Sequence, residues 1–389
     1  MSEDIFSYTK ITEAVENNCG HNWLVMLNIQ YRMHRDIAKI VNQYMYSGLL
    51  ETADVIYESR RELAECEPMS NHAISMIDLS STYSVCIKTN QGSRINLLSA
   101  MICMRIAEKL LDKYEVGIIT PYSAQARLIL AMIRDLSGKD SRYSRISSAT
   151  VHQFQGSEKP VIIYDSVDCF RMPYPGVLLT GQKNNSANRL FNVALTRAQG
   201  KFILVGNRDF MYRKRISTKL IFTKVMDLVK DKKAVLFGNE LIDEVKKDGV
   251  DCKHEIFLDN YENSFQLFCN DLESASKEIT IVIPGLLMED DEALDKLSRI
   301  LIKKQESGVK ISIHLDENMI LPEELQQFVN YGYTTTPVTI VDKAVVWFGQ
   351  PLSAAEFMSE NDILETEYFP CLRMCGEITA RLLRAFLEI

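Results

Sequence analysis

The stretch Asn188-Arg189-Leu190-Phe191-Asn192-Val193-Ala194-Leu195-Thr196-Arg197-Ala198 sets an arginine at the end of a short amphipathic segment. An apolar strand, Phe202-Ile203-Leu204-Val205, follows and closes on Gly206-Asn207. An arginine on a rigid helix edge, backed by a buried strand, suits a cation that must reach a phosphate, because its planar fork matches phosphate oxygens. A solvated or salt-bridged surface arginine is the plain alternative. Arg32, in Gln30-Tyr31-Arg32-Met33-His34, is a second cation of this kind. Asp36 stands four residues on and offers it a helical salt bridge instead.

Two further segments extend the pattern. Val116-Gly117-Ile118-Ile119-Thr120-Pro121-Tyr122-Ser123-Ala124-Gln125 is an apolar strand running into a helix start. Ser148-Ala149-Thr150-Val151-His152-Gln153-Phe154-Gln155-Gly156-Ser157-Glu158-Lys159 leads into the strand Val161-Ile162-Ile163-Tyr164. In chain order, the Arg32, Thr120, Gly156 and Arg197 segments resemble motifs IV, IVa, V and VI of superfamily 1 helicases. The subgroup is the one that includes the nonsense-mediated-decay helicase and senataxin. The resemblance covers roughly residues 4–207.

That resemblance implies an enzyme of two RecA-like domains that couples ATP hydrolysis to movement along single-stranded DNA or RNA. It makes Arg197 the arginine finger and Arg32 a second phosphate contact. Gln30, beside Tyr31, supports the ATP-facing set. Gly156 and Glu158 approach the γ-phosphate and the ribose, and glycine permits close backbone approach. Glu158 has Lys159 as an alternative partner. Thr120, Pro121, Tyr122 and Gln125 follow a strand at its carboxyl end, where open α/β sheets bind ligands. With Thr150, His152 and Gln153 they are implied to touch the nucleic-acid backbone through a hydroxyl and helix-start N–H groups. Tyr122 either stacks a base or packs as a core ring. The family commonly has Asp at the position of His152, and often Arg at that of Asp168.

The phosphate loop G-x-x-x-x-G-K-[ST], whose N–H groups and lysine hold ATP phosphates, does not occur. Gly138-Lys139 and Gly200-Lys201 lack the upstream glycine and the following Ser or Thr. Ile311-Ser312-Ile313-His314-Leu315-Asp316-Glu317 imitates a magnesium-binding acidic strand end, but far downstream. The chain therefore looks like the C-terminal part of a longer enzyme. ATP and Mg2+ belong to the complete enzyme, and neither is expected on this chain alone. The expected partners are a single strand and an N-terminal RecA-like motor domain, in the same chain or a separate one. A binding module that acts through protein contacts is the alternative class.

Length and composition agree with a two-domain, cytoplasmic protein. The 389 residues are 46% hydrophobic, enough for ordinary cores. No apolar run approaches the 18 or so residues of a membrane span, and Met1-Ser2-Glu3-Asp4 is acidic with no apolar stretch after it. Nine scattered cysteines fit reduced thiols and no zinc site. The net charge of −8 hides a split. Residues 1–232 hold 30 Lys+Arg against 23 Asp+Glu, a net of +7. Residues 233–389 hold 14 against 29, a net of −15. Only the first part attracts a polyanion.

Strands and helices alternate through residues 1–232, which predicts a parallel sheet flanked by helices. Helices are expected over 4–15, 35–46, 96–113 and 124–137, and strands over 23–27, 74–79 and 116–120. Tyr174-Pro175-Gly176 marks a loop. A linker helix over 217–230 ends the first domain near Lys232. Residues 233–389 predict a second mixed α/β layer, with strands over 278–283, 309–314, 338–341 and 345–348. This layer resembles a phospholipase D-like domain. Aligning the family's H-x-K…D motif on Asp342 puts Thr335 at the histidine and Pro337 at the lysine. Of the following G-S-x-N only Gly349 remains. A phosphodiesterase of that kind needs a histidine nucleophile and a lysine on phosphate, so its chemistry is expected to be lost. The family's active enzymes use two motifs, from one chain or from a dimer, and the single motif here suggests a homodimer through the Asp342 face.

Overall fold

The computed structural model describes residues 8–17, 24–82, 84–170, 172–181, 186–238, 240–241, 255–258, 261–283, 291–315, 320–332, 337–349 and 371–389. Thr335, Asp316, Glu317 and residues 350–352 lie outside them. The fold is α/β, with a parallel six-stranded sheet and a second, mixed sheet.

The first sheet joins β3 (Ile74–Asp78), β6 (Val116–Thr120), β7 (Ile146–Thr150), β8 (Lys159–Asp165), β9 (Ala198–Gly206) and β10 (Val235–Phe237). Their spatial order is β10-β3-β9-β8-β6-β7, and every pairing is parallel. Parallel strands covered on both faces need continuous apolar runs rather than alternation. Ile162-Ile163-Tyr164 and Phe202-Ile203-Leu204-Val205 meet that need and are buried throughout. Because every strand points the same way, Thr120, Thr150, Asp165 and Gly206 end on one edge. Two small pairs flank the sheet: β1 (Ile29–Gln30) with β2 (Glu51–Thr52), and the hairpin β4 (Ile87–Lys88) with β5 (Arg94–Ile95).

Helices α1 (Ile11–Glu16), α2 (Arg35–Met45), α3 (Asp54–Ala64), α4 (Leu97–Leu110), α5 (Ser123–Ser137), α6 (Val177–Thr180), α7 (Ser186–Leu195), α8 (Arg208–Arg213) and α9 (Ile221–Asp231) accompany it. Asn96 caps α4 by accepting from Ser99 N at 3.0 Å, which fixes where that helix starts. Of the strand expected over 23–27, residues 24–27 carry none, pairing begins at Ile29, and Trp23 lies outside the described residues.

The second sheet runs β11-β17-β16-β15-β12-β13-β14. Its strands are β11 (Glu255–Leu258), β12 (Glu278–Ile283), β13 (Lys310–Leu315), β14 (Val329–Tyr331), β15 (Val338–Val341), β16 (Val345–Phe348) and β17 (Cys371–Cys375). Helices α10 (Tyr261–Ser274), α11 (Asp291–Glu306) and α12 (Glu377–Leu387) pack with it.

Two features depart from a division at Lys232. Val235–Phe237 pairs in register with Met76–Asp78, so the first sheet continues beyond that residue. Helix α12 closes against α5 of the first part. Leu128, Met132 and Leu136 share one apolar cluster with Leu383, Phe386, Ile340 and Met374. Asp135 on α5 caps α12, accepting from Ile378 N at 3.0 Å, Thr379 N at 2.9 Å and Thr379 Oγ1 at 2.8 Å. A carboxylate at a helix N-terminus meets unpaired N–H groups and the positive end of the dipole.

Candidate functional site

The turn before α2 is built by Gln30. Its Oε1 accepts from Arg32 N at 2.9 Å and Met33 N at 2.8 Å. Its Nε2 donates to Met33 O and to Thr52 Oγ1, both at 2.9 Å. The Gln30 amide is therefore engaged within the chain and presents Arg32 rather than a ligand contact of its own. His34 caps α2 by accepting from Asp36 N at 3.1 Å.

Arg32 does not pair with Asp36. Its Nε lies 2.5 Å from Glu158 Oε2, with both side chains partly exposed. Glu158 also accepts from Gln199 Nε2 at 2.8 Å. Lys159, its alternative partner, instead reaches Glu115. Gly156 precedes this turn at φ +86°, and a Cβ added there would meet nothing within 4 Å. Its glycine serves the left-handed backbone and leaves an open approach.

Arg197 follows α7 and is held by neutral acceptors. Nε donates to Val193 O at 3.1 Å, Nη1 to Ser157 O at 3.3 Å and Nη2 to Thr196 Oγ1 at 3.3 Å. Among the described residues it has no carboxylate within ion-pair distance. Burial, and then the neighbouring Arg32 charge, pull its guanidinium below the ordinary range. Two like charges are thus held near one another, and of the two only Arg32 is paired with a carboxylate.

The carboxyl edge of β6 differs from the expectation. Thr120, Tyr122 and Gln125 are buried. Thr120 Oγ1 accepts from Tyr122 N at 3.3 Å, and Ala124 N donates to Ser93 Oγ at 3.1 Å. The hydroxyl and one helix-start donor are therefore already paired. Gln125 Nε2 donates to Asp165 Oδ2 at 2.7 Å, Asn96 O at 2.9 Å and Ser99 Oγ at 3.1 Å. Tyr122 is the packed ring rather than an open stacking surface, and its hydroxyl donates to Asp168 Oδ2 at 2.9 Å. Pro121 is half-buried. On the neighbouring strand end, Thr150 Oγ1 bonds Gln153 Oε1 at 3.1 Å, and His152 and Gln153 are exposed. Of the seven residues assigned to nucleic acid, Thr150, His152 and Gln153 have side chains at the surface turn, and Thr120, Tyr122 and Gln125 do not.

Asp168 organises what covers that edge. Its carboxylate pairs with Arg94 Nη1 at 2.7 Å and accepts from Gly176 N at 2.6 Å. Burial nevertheless pushes its carboxyl up, against the opposing pull of Arg94. Asp165 is fully buried and pushed up to about 6 by burial, against bonds from Gln125 and Ser99. Between the two, Val167 stands at φ +67°, a left-handed backbone that a β-branched residue rarely adopts. Its N–H donates to Asp165 Oδ1 at 3.0 Å and its carbonyl accepts from Asn96 Nδ2 at 3.1 Å. Such strain persists where surrounding bonds over-determine it. Arg94, Asn96 and Asp165 are absent from the motif pattern, so only their burial reveals them.

In the second sheet Asp342 holds a turn. It accepts from Ser276 N and Lys277 N, both at 2.7 Å, and from Glu278 N at 3.0 Å. Burial opposes its ionisation, but these bonds leave the carboxyl below its usual range. Among the described residues no cluster of His, Cys, Asp and Glu suits a metal, and no helix is long and apolar enough to cross a membrane.

Residues 8–209 match the family described as AAA domain. The match spans more than half of the chain, and the chain belongs to that family. Helicase sen1 of Schizosaccharomyces pombe is 28% identical over 195 residues, 48% of this chain and 11% of that protein. Regulator of nonsense transcripts 1 of Dictyostelium discoideum is 32% identical over 202 residues, 50% of this chain and 14% of that protein. The family and these relatives define a superfamily 1 helicase domain. The chain spans only about a tenth to a seventh of the length of these two relatives. A solved phospholipase D family member, Nuc from Salmonella typhimurium, aligns with 34% of this chain and 89% of its own, at 15% identity and TM-score 0.26.

Proposed function

We propose that this chain is the second RecA-like half of an ATP-dependent superfamily 1 helicase acting on single-stranded nucleic acid. The observation that carries this reading is the Arg32 and Arg197 pair beside the open Gly156 turn. Arg197 is the arginine finger: it neutralises charge that grows on the γ-phosphate in the transition state. Arg32 is the second phosphate contact and exchanges Glu158 for the nucleotide. The phosphates and Mg2+ are held by a complementary motor domain, in the same longer protein or a separate one. Without that partner the chain turns over no ATP.

Strand binding falls to the basic first part, through backbone phosphates and without sequence preference. The acidic second part adds little. It is a degenerate phospholipase D-like layer, because Thr335 and Pro337 replace the nucleophile and the phosphate-binding lysine. Asp342, the residue of the H-x-K…D triplet that remains, is already engaged within the chain, which weakens the case for a dimer through that face.

The test measures ATPase activity of the chain alone and of the chain joined to a phosphate-loop motor domain. Background turnover alone and strand-stimulated turnover when joined are expected. Turnover by the isolated chain that is lost in Arg197→Ala overturns the reading. Hydrolysis of a bis-nitrophenyl phosphate reporter overturns the inactive second layer.

A further inference from the structure

The carboxyl edge of β6 was expected to face a single strand, yet its own side chains are covered. The covering surface has three parts. Hairpin β4–β5 supplies Ser93, which takes the α5 N–H of Ala124, and Arg94. The loop after β8 supplies Asp168. The third part is Pro173-Tyr174-Pro175-Gly176.

This last segment is fixed closely. Gly176 N donates to Asp168 Oδ2 at 2.6 Å, and Tyr174 O accepts from Arg94 Nη1 at 3.1 Å. A Cβ on Gly176 would lie 2.0 Å from the Tyr122 hydroxyl, so only glycine permits the loop to sit this close. Pro175 and Gly176 are buried, whereas the Tyr174 side chain stands 70% exposed. Prolines on both sides restrict its backbone. The Arg94–Asp168 ion pair thus fixes the backbone at and just after a ring that is itself largely exposed.

The hairpin that holds the Tyr174 backbone through Arg94 also carries a cation that suits a nucleic-acid strand. Lys88 faces Arg94 across the hairpin in register and is exposed. Among the described residues it makes no ion pair. Arg94 is neutralised by Asp168, so of this cross-strand pair Lys88 is the cation free of an ion pair among the described residues.

We infer that Tyr174 stacks on a base of a bound single strand, with Lys88 taking an adjacent phosphate. This rests on the reading that the chain binds single strands. An aromatic ring offered at a rigid loop stacks any base, because every base has a π-face, and it needs no hydrogen-bond code. It also gives Asp168 a role that its charge alone contradicts. The carboxylate does not touch the strand; it holds the ring that does.

Fluorescence anisotropy of a labelled oligothymidine or oligouridine, read with the full chain across a salt series, tests this. Tyr174→Ala is expected to weaken binding about 10-fold or more, and Tyr174→Phe to restore most of it. Lys88→Ala is expected to lower the log–log salt slope by ~0.7 while Tyr174→Ala leaves the slope unchanged. Tyr174 is exposed, so neither Tyr174 variant threatens folding. Wild-type binding that Tyr174→Ala does not weaken overturns the inference and leaves the helicase reading standing. No binding of either strand by the wild-type chain overturns both.

Discussion

Arg32 Nε and Glu158 Oε2 lie 2.5 Å apart, and this contact ties the turn before α2 to the turn that follows Gly156. The pair is partly exposed, and such pairs contribute about 0–1 kcal/mol to stability. Its interest is that a carboxylate sits where a phosphate is expected. Glu158→Gln should therefore leave the melting temperature nearly unchanged. In the chain joined to a motor domain it should lower KM for ATP, because Arg32 no longer has to leave a carboxylate. It should also lower kcat a few-fold, because Arg32 is less well oriented. Steady-state kinetics separate the two. A raised KM would instead make Glu158 a nucleotide ligand, as the motif resemblance implies.

Arg197 makes its bonds to Val193 O, Ser157 O and Thr196 Oγ1, and these set its orientation before any ligand arrives. Arg197→Ala in the joined enzyme should cut kcat by ~10³-fold or more. Arg197→Lys should recover little, because an ammonium lacks the planar fork. Oligonucleotide affinity without ATP should change less than two-fold in either variant. A parallel loss of strand binding would mean that the residue serves the nucleic-acid edge rather than the phosphate.

The turn and helix end that present Arg32 and Arg197 were legible in the sequence because each lies within a short contiguous motif and its backbone supports are largely local, while the roles of the two arginines rest on the resemblance. Gln30 bonds residues two and three positions away, and Arg197 is fixed from four positions away by Val193. The β6 edge was not legible in the same way. Tyr122 finds Asp168 46 positions on, Gln125 finds Asp165 40 positions on, and Arg94 finds Asp168 74 positions on. A motif records residue types and cannot record that three distant polar groups converge and bury one another. The parallel sheet followed from runs of apolar strands. The closing strand β10 and the seam between α5 and α12 did not, since both depend on which face meets which.

That seam predicts a coupling between the two sheets. Asp135 accepts three hydrogen bonds from the first turn of α12. Removing a helix cap of this kind costs about 0.5–2 kcal/mol. Asp135→Ala should therefore lower the melting temperature by a few degrees and raise amide exchange over Glu377–Leu387 ahead of the parallel sheet. Asp135→Asn should retain part of the cap. Exchange that rises equally across both sheets would show that α12 is not the weak point. Strand binding should persist in both variants, because the seam lies away from Lys88 and Tyr174.

Lys201 is a buried cation outside the candidate site. It is wholly buried on β9 and donates to Ala64 O at 3.4 Å, Cys66 O at 2.9 Å and Met69 O at 2.8 Å. These carbonyls close the end of α3 and the turn after it, where helices leave acceptors without partners. Burial pulls the amine down to about 8. An unfolded lysine titrates near 10.4, so between about pH 8 and pH 10 the unfolded chain holds more protons than the folded one. Stability then rises with pH across that window, by up to ~1.4 kcal/mol per unit, and this contribution is lost as pH falls through 8 or so. Lys201→Met removes the donor and the titration together. It should cost about 1–3 kcal/mol at neutral pH through unsatisfied carbonyls. The gap between wild type and variant should then widen from pH 7.5 to pH 10. Urea unfolding at several pH values measures it directly. A gap that stays constant would mean that the amine enters the fold with its ordinary affinity for a proton, fully solvated by its three carbonyls.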